Sequence, residues 1–159
     1  MRPDIRPMTG ADKPAIMRIL KVTPEFSPAE VLVAEEVIDA YLHDPSRSGY
    51  HILVAEVNSS IVGYICYGPT PLTEGTWDIY WLAVALEEQG RGIGSALMAS
   101  AEGEIRQAKG RLALIETSSK PGYEKTRRFH YSQGYEIACR IPDFYALGDD
   151  KLVFLKRLT

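Results

Sequence analysis

Between Trp77 and Met98 the chain reads Trp-Asp-Ile-Tyr-Trp-Leu-Ala-Val-Ala-Leu-Glu-Glu-Gln-Gly-Arg-Gly-Ile-Gly-Ser-Ala-Leu-Met. This is a hydrophobic strand, a short acidic connector, a glycine-rich turn and the first turns of an amphipathic helix. The turn Gln89-Gly90-Arg91-Gly92-Ile93-Gly94 puts backbone without bulky side chains where a helix begins. Glycines let successive N–H groups converge, and the helix N-terminus adds partial positive charge, so the fitting guest is an anion such as a pyrophosphate. A second chemical signal is Asp78, a carboxylate inside an apolar run, a placement that points to a cleft. Period-two alternation predicts Asp78, Tyr80 and Leu82 on one strand face, with Trp77, Ile79 and Trp81 on the other. Glu116 directly follows another apolar run, Leu112-Ala113-Leu114-Ile115.

The surrounding pattern supplies elements to position these groups. Ile5–Thr9 reads as a first strand. Thr9-Gly10-Ala11-Asp12 has the form of a capping box before a helix whose apolar face is Ile16, Met17, Ile19 and Leu20. Ser27-Pro28-Ala29-Glu30 repeats the start signal for a second helix through Val31, Ala34, Val37, Ile38 and Tyr41, ending before Pro45. Tyr50–Val57 and Ile61–Gly68 read as a hairpin, followed by a strand over Thr76–Val84. A helix over about Gly92–Lys109 carries Ile93, Leu97, Met98, Ala101 and Ile105, with Gly110 as its stop. Leu112–Thr117 is a short buried strand, and Pro121 opens a helix that ends at Gly134. Tyr135–Ile141 and Lys151–Leu155 form a final pair, joined by a loop containing Pro142–Asp150. The predicted order is β-α-α-β-β-β-α-β-α-β-β: an α/β fold with a mixed sheet of about seven strands.

A chain of 159 residues suits one domain over 1–159 with a proper core. Its 45% apolar and 25% charged residues are ordinary for a soluble globular protein. A net charge of −3 argues against a nucleic-acid partner, which calls for a basic excess. Cys66 and Cys139 lie in separate apolar segments without metal-type spacing, so reduced, buried thiols and no metal are expected. No apolar run approaches the roughly 18 residues of a membrane span, and Met1-Arg2-Pro3-Asp4 begins no signal peptide. The expected compartment is the cytoplasm, with no membrane partner.

The glycine turn has three possible readings. A nucleotide P-loop needs a lysine directly after a glycine, and none follows here. A dinucleotide fingerprint needs Gly-x-Gly-x-x-Gly near the start of a βαβ unit, whereas this turn is Gly-x-Gly-x-Gly and lies mid-chain. Gln89-x-x-Gly92-x-Gly94 between strand and helix resembles motif A of the GNAT superfamily, the acyl-CoA-dependent N-acyltransferases. The element order and the Arg128-Phe129-x-x-x-x-Gly134-Tyr135 run extend the resemblance over nearly the whole chain.

The resemblance implies a mostly antiparallel sheet flanked by about four helices, and acetyl-CoA as cosubstrate with an amine acceptor. It implies that the strand before motif A splays from the next, and that the backbone of Leu82, Ala83 and Val84 pairs with the pantetheine arm. The N–H groups of Gln89, Gly90, Arg91, Gly92, Ile93, Gly94 and Ser95 would cradle the pyrophosphate, with the Arg91 side chain at the rim. Asp78 and Glu116 become the candidate bases for a lysine-type or α-amine acceptor, whose ordinary pKa values are about 10.4 and about 8. A backbone N–H near Val84 would polarise the thioester carbonyl. For the thiolate's proton, the family's tyrosine position holds His130, with Tyr131 one residue on and about 100° round the helix, and Tyr145 as a third candidate. Tyr123 sits where relatives place a cofactor-contacting asparagine. Lys120, Lys125, Arg127 and Arg128 make that helix basic, suiting CoA phosphates. Tyr80 and Tyr145 are the candidate acceptor contacts. Arg140-Ile141-Pro142-Asp143-Phe144-Tyr145 loosely resembles the loop over the peptide entrance of N-terminal acetyltransferases, and Asp149-Asp150 beside it would favour a cationic acceptor. The other reading is a GNAT-fold acyl-CoA sensor that has lost chemistry, which the His130 departure keeps open. Family members are often dimers, so a homodimer is compatible with the resemblance.

Overall fold

Seven strands build one sheet: β1 (Asp4–Pro7), β2 (His51–Val57), β3 (Ser60–Pro69), β4 (Thr76–Val84), β5 (Leu112–Ser118), β6 (Glu136–Ala146) and β7 (Asp149–Arg157). The computed structural model describes residues 2–159. In space the order is β1-β2-β3-β4-β5-β7-β6, and β4–β5 is the one parallel pairing, as the mixed sheet read from sequence requires. Helices α1 (Lys13–Val22), α2 (Pro28–His43), α3 (Ile93–Gln107) and α4 (Glu124–Ser132) complete the fold. The start of α2 follows its sequence signal. Ser27 Oγ accepts from the Glu30 N–H at 3.2 Å, and the Glu30 carboxylate accepts from the Ser27 N–H at 3.4 Å.

Two apolar layers clamp the sheet. On one face α3 buries Leu97, Met98, Ala101 and Ile105 against Ile65, Ile79, Ile115 and Phe154. On the other, Ile16 and Leu20 of α1 and Ala34 and Ile38 of α2 cover Ile52, Val54, Tyr64 and Cys66. Cys66 and Cys139 are both free thiols; Cys66 is buried as expected, but Cys139 is exposed because it lies on the edge strand β6.

β4 departs from simple alternation. Cys66 of β3 faces Trp81 and Tyr67 faces Ile79, so Tyr80 is an extra, unpaired residue: a β-bulge. The bulge corrects the expected facing. Trp77 and Ile79 share the α3 layer with Leu82 and Val84, while Trp81 and Ala83 join the layer under α1 and α2. Leu82 therefore does not share a face with Asp78, because the inserted residue reverses the alternation downstream of it.

The Pro142–Asp150 stretch is likewise not a loop. β6 runs to Ala146 and turns tightly into β7 at Asp149. Pro142, Asp143 and Gly148 suggested a loop, yet an edge strand tolerates proline and bulges. Between Ile141 and Ala146 the ladder is interrupted, and the Asp150 carboxylate stands in for it. Asp150 accepts from the Asp143 N–H at 2.8 Å and from Arg140 Nε at 2.5 Å.

The parallel ladder joins Thr76–Ile79 to Leu112–Ile115 and goes no further, so β4 and β5 part beyond the Tyr80 bulge. Upstream, Gly68 lies opposite Asp78, and a Cβ there would come within 2.2 Å of the Gly49 carbonyl oxygen. Backbone cannot give way as a side chain can. We expect Gly68→Ala to lower stability by about 1–3 kcal/mol, whereas Gly103→Ala, in open space on α3, is neutral or stabilising. Urea midpoints check this, and equal midpoints for the two variants would refute the crowding account.

Candidate active site

The parting of β4 from β5 leaves a sheet edge unpaired inside the fold. Ala85 N–H donates to Val62 O at 2.7 Å, and antiparallel pairing alternates. Val84 and Leu82 therefore turn their N–H and C=O groups away from β3, into the gap, while Ala83 pairs with Tyr64. Of the three positions expected to offer backbone to a pantetheine arm, Leu82 and Val84 face the opening and Ala83 faces β3. The Val84 carbonyl accepts from Gln89 Nε2 at 3.2 Å, which ties the strand end to the glycine turn.

That turn has the backbone an anion cradle needs. Gly90 and Gly92 have φ of 80° and 82°, left-handed values that favour glycine, and neither has an atom within 4 Å of where a Cβ would stand. Conformation, not space, thus requires glycine at both. Gly94 differs: its Cβ would press on the Phe129 ring at 3.2 Å, so its small size lets α3 approach α4. The first helical hydrogen bond runs from Ala96 N–H to Gly92 O, which leaves the N–H groups of Ile93, Gly94 and Ser95 outside the helical ladder. Ser95 Oγ accepts from Gln133 Nε2 at 2.9 Å. The Arg91 side chain is exposed and reaches Glu88 at 3.4 Å, so its charge stands at the rim. Lys125 Nζ donates to Gln89 Oε1 at 2.8 Å and brings a second cation to the turn. Arg127 is instead structural, donating to the carbonyls of Ser118 and Lys120.

A cleft of about 1060 Å³ runs from this turn across the gap to the loop between α1 and α2. Asp78 and Glu116 both line it. Asp78 is paired with Leu114, two residues before Glu116, so both carboxylates lie on the sheet face that α1 and α2 cover. Thr70 Oγ1 donates to Asp78 Oδ2 at 2.6 Å, leaving Oδ1 available. Glu116 is half-exposed and pairs with Lys151 Nζ at 2.9 Å. Tyr80 and Tyr145 also line the cleft. Burial, aided by Asp78, pushes the Tyr80 phenol up to about 12. The Tyr145 phenol is raised by burial first and by Glu116 next.

The candidate proton donors on α4 are placed differently from expectation. His130 lines the cleft but is only 4% exposed, set edge-on to Phe154 and close to Phe129 and Tyr135. Its Nδ1 has no protein partner. Burial lowers its pKa to about 4, so at neutral pH the ring carries no imidazolium proton to give. Tyr131 packs on Phe154 and is half-exposed away from the cleft, as the helical 100° step requires. Tyr123, expected on the cofactor, uses its hydroxyl to donate to the Glu25 carbonyl at 2.5 Å. It thereby ties the segment before α4 to the α1–α2 loop. Of the two adjacent acids, Asp150 is engaged within the β6 bulge, and Asp149 lines the cleft with Ser118 Oγ as its donor.

Several residues around the site carried no functional signal in the sequence. Thr70, from the β3–β4 connection, and Lys151, from β7, hold the two candidate bases. Glu25, Phe26, Glu30, Val33 and Tyr50, from the first two helices and their surroundings, line the cleft itself.

The profile of the acetyltransferase (GNAT) family matches residues 14–135, and the chain belongs to it. A GNAT-family protein from Desulfovibrio desulfuricans is 37% identical, with a TM-score of 0.95 over 99% of both chains. An uncharacterised N-acetyltransferase of Methanocaldococcus jannaschii is 31% identical over 105 residues, which are 65% of this chain and 64% of that protein. The chain thus matches under two thirds of that relative's length. The fold alone is shared with the PaiA N-acetyltransferase of Thermoplasma acidophilum, solved with coenzyme A, at 14% identity, TM-score 0.77 and 99% of both chains. No helix among the described residues is long and apolar enough to cross a membrane.

The buried His130 makes stability depend on pH. Its folded pKa of about 4 lies below its ordinary value of 6.5, so below 6.5 the unfolded chain binds a proton that the folded chain refuses. Stability is therefore lost as pH falls from 6.5 towards 4. We expect a loss on the order of 2 kcal/mol between about pH 7 and about pH 5, and His130→Leu should lose less over that interval. Urea titrations of both proteins at the two pH values check this, and parallel losses would disprove it.

Proposed function

We propose that the chain transfers an acetyl group from acetyl-CoA to a primary amine. The observation that carries this is the edge of Leu82 and Val84 that β5 leaves open, tied through Gln89 to the Gly90–Gly92 turn. The residues fit the cosubstrate. The edge offers N–H and C=O groups to the amides of a pantetheine arm, and the turn from Gln89 to Ser95 offers N–H groups and two nearby cations to a pyrophosphate. When bound, acetyl-CoA supplies an activated acetyl group. The amine's lone pair makes the new N–C bond as the C–S bond breaks, the nitrogen loses one proton and the sulfur gains one.

The protein's part is to orient and to move protons. Asp78, steadied by Thr70, and Glu116, steadied by Lys151, are the groups that take a proton from an ammonium, directly or through water. Neutral His130 leaves the sulfur's proton to the phenols, and Tyr80 and Tyr145 both stay protonated at neutral pH. A cytoplasmic setting goes with this reading.

Calorimetric titration with acetyl-CoA, and with CoA beside it, tests the site. Micromolar binding weakened roughly tenfold or more by Gly92→Asp is expected, since a carboxylate would sit where an anion must. No heat with either compound would sink the proposal. The base is then found from pH–rate profiles. The variant that removes it, Asp78→Asn or Glu116→Gln, should lose roughly a hundredfold in kcat/KM and the rise of rate with pH. Two unchanged profiles would acquit both carboxylates.

A further inference from the structure

Five acids, Glu25, Glu30, Asp78, Glu116 and Asp149, and two lysines, Lys120 and Lys125, line the cleft. Lys125 sits on Gln89 at the glycine turn, with Arg91 beside it at the rim. Glu116 is paired with Lys151, and Asp149 lies 3.6 Å from Lys120. Among the described residues no basic side chain pairs with Glu25, Glu30 or Asp78. These acids stand in a walled site. Phe26 meets Trp81 edge-on at 5.8 Å, Tyr50 meets Tyr80 edge-on at 5.5 Å, and the Tyr123 hydroxyl holds the Glu25 carbonyl across the cleft. Alternation puts Tyr80 on the Asp78 face, and the bulge turns Trp81 to that face as well. The 4% exposed His130, its Nδ1 without a protein partner, lines the same cavity.

We infer that the acceptor is a small aliphatic amine carrying a second positive charge, such as a diamine or polyamine, bound between the α1–α2 loop and β4. This rests on the acetyltransferase reading above. The attacking amine must be neutral when it reacts, so it cannot itself balance the acids that drew it in. A second ammonium can. Asp78 and Glu116 lie on β4 and β5, the strands that part, while Glu25 lies on the α1–α2 loop and Glu30 in the first turn of α2. Between the two sets the wall is aromatic, from Tyr50, Tyr80 and Trp81, which suits methylene groups and attracts cations over ring faces. Glu30 also serves the start of α2, but glutamine satisfies a capping box too, so Glu30→Gln removes the charge and keeps the cap.

The experiment uses the full chain. Acetyl-CoA binding is measured first by calorimetry, and steady-state acetylation is then compared for 1,4-diaminobutane, n-butylamine and an alanine-initiated neutral peptide. The expected result is a kcat/KM for the diamine roughly tenfold or more above that for the monoamine, an advantage that shrinks as salt rises. Glu25→Gln and Glu30→Gln should each cut that ratio several-fold, whereas Glu36→Gln, on the exposed side of α2, should leave it alone. Acetyl-CoA binding with equal use of the two amines, with no turnover of the diamine, or with the peptide preferred overturns the inference and leaves the cofactor site standing. A ratio unmoved in the Glu25 and Glu30 variants also overturns it. Absence of acetyl-CoA binding brings down the acetyltransferase reading itself.

Discussion

A parallel ladder that stops at Ile79 and Ile115 is the constraint on which the rest of this structure depends. A sheet normally satisfies the N–H and C=O groups of an interior strand from both sides, and leaving them unpaired costs free energy unless water or a ligand takes them. Here the Tyr80 bulge falls where pairing ends, so the strand bends and twists at that point and its remaining residues swing away from β5. The two apolar layers allow this because each holds β4 separately: Leu82 and Val84 against the α3 side, Trp81 and Ala83 against the α1–α2 side. The opening is thus braced on both faces.

From that opening the remaining features take their places. The strand end is tied to the glycine turn through Gln89, whose side chain accepts from Lys125 and donates to Val84. One residue therefore connects the unpaired edge, the anion cradle and a cation. Across the gap, Tyr123 joins the segment before α4 to the α1–α2 loop. The cleft thus carries a cation at the glycine turn and a surplus of carboxylates along its walls.

The architecture was legible wherever the hydrophobic period was unbroken. The β4 bounds, the α2 capping box and the strand-turn-helix around Gly92 all follow from local rules that need no distant partner. Legibility failed where a single extra residue changed the count. Period-two reasoning put Leu82 beside Asp78, and one bulged tyrosine moved it to the opposite face. It failed again at Pro142–Asp150, where turn-forming residues sit in an edge strand whose missing ladder bonds are supplied by the Asp150 carboxylate. At the site, Asp78 and Glu116 were visible as carboxylates beside apolar runs. Thr70 and Lys151, which hold them, were not.

The sequence by itself determined the class of elements, their order and the glycine turn, because each depends on residues a few positions apart. It carried the family resemblance for the same reason. Tertiary structure decided which backbone groups face the gap, since that depends on the β3 register. It decided that His130 is a neutral, buried ring and that Tyr131 stands outside the cleft, because burial depends on Phe154 and Tyr135 coming from elsewhere in the chain. It also decided that the acids of the α1–α2 loop share a cavity with Asp78. Short-range periodicity writes the elements; charge and solvation at a site are sums over everything nearby, and only the folded chain brings those neighbours together.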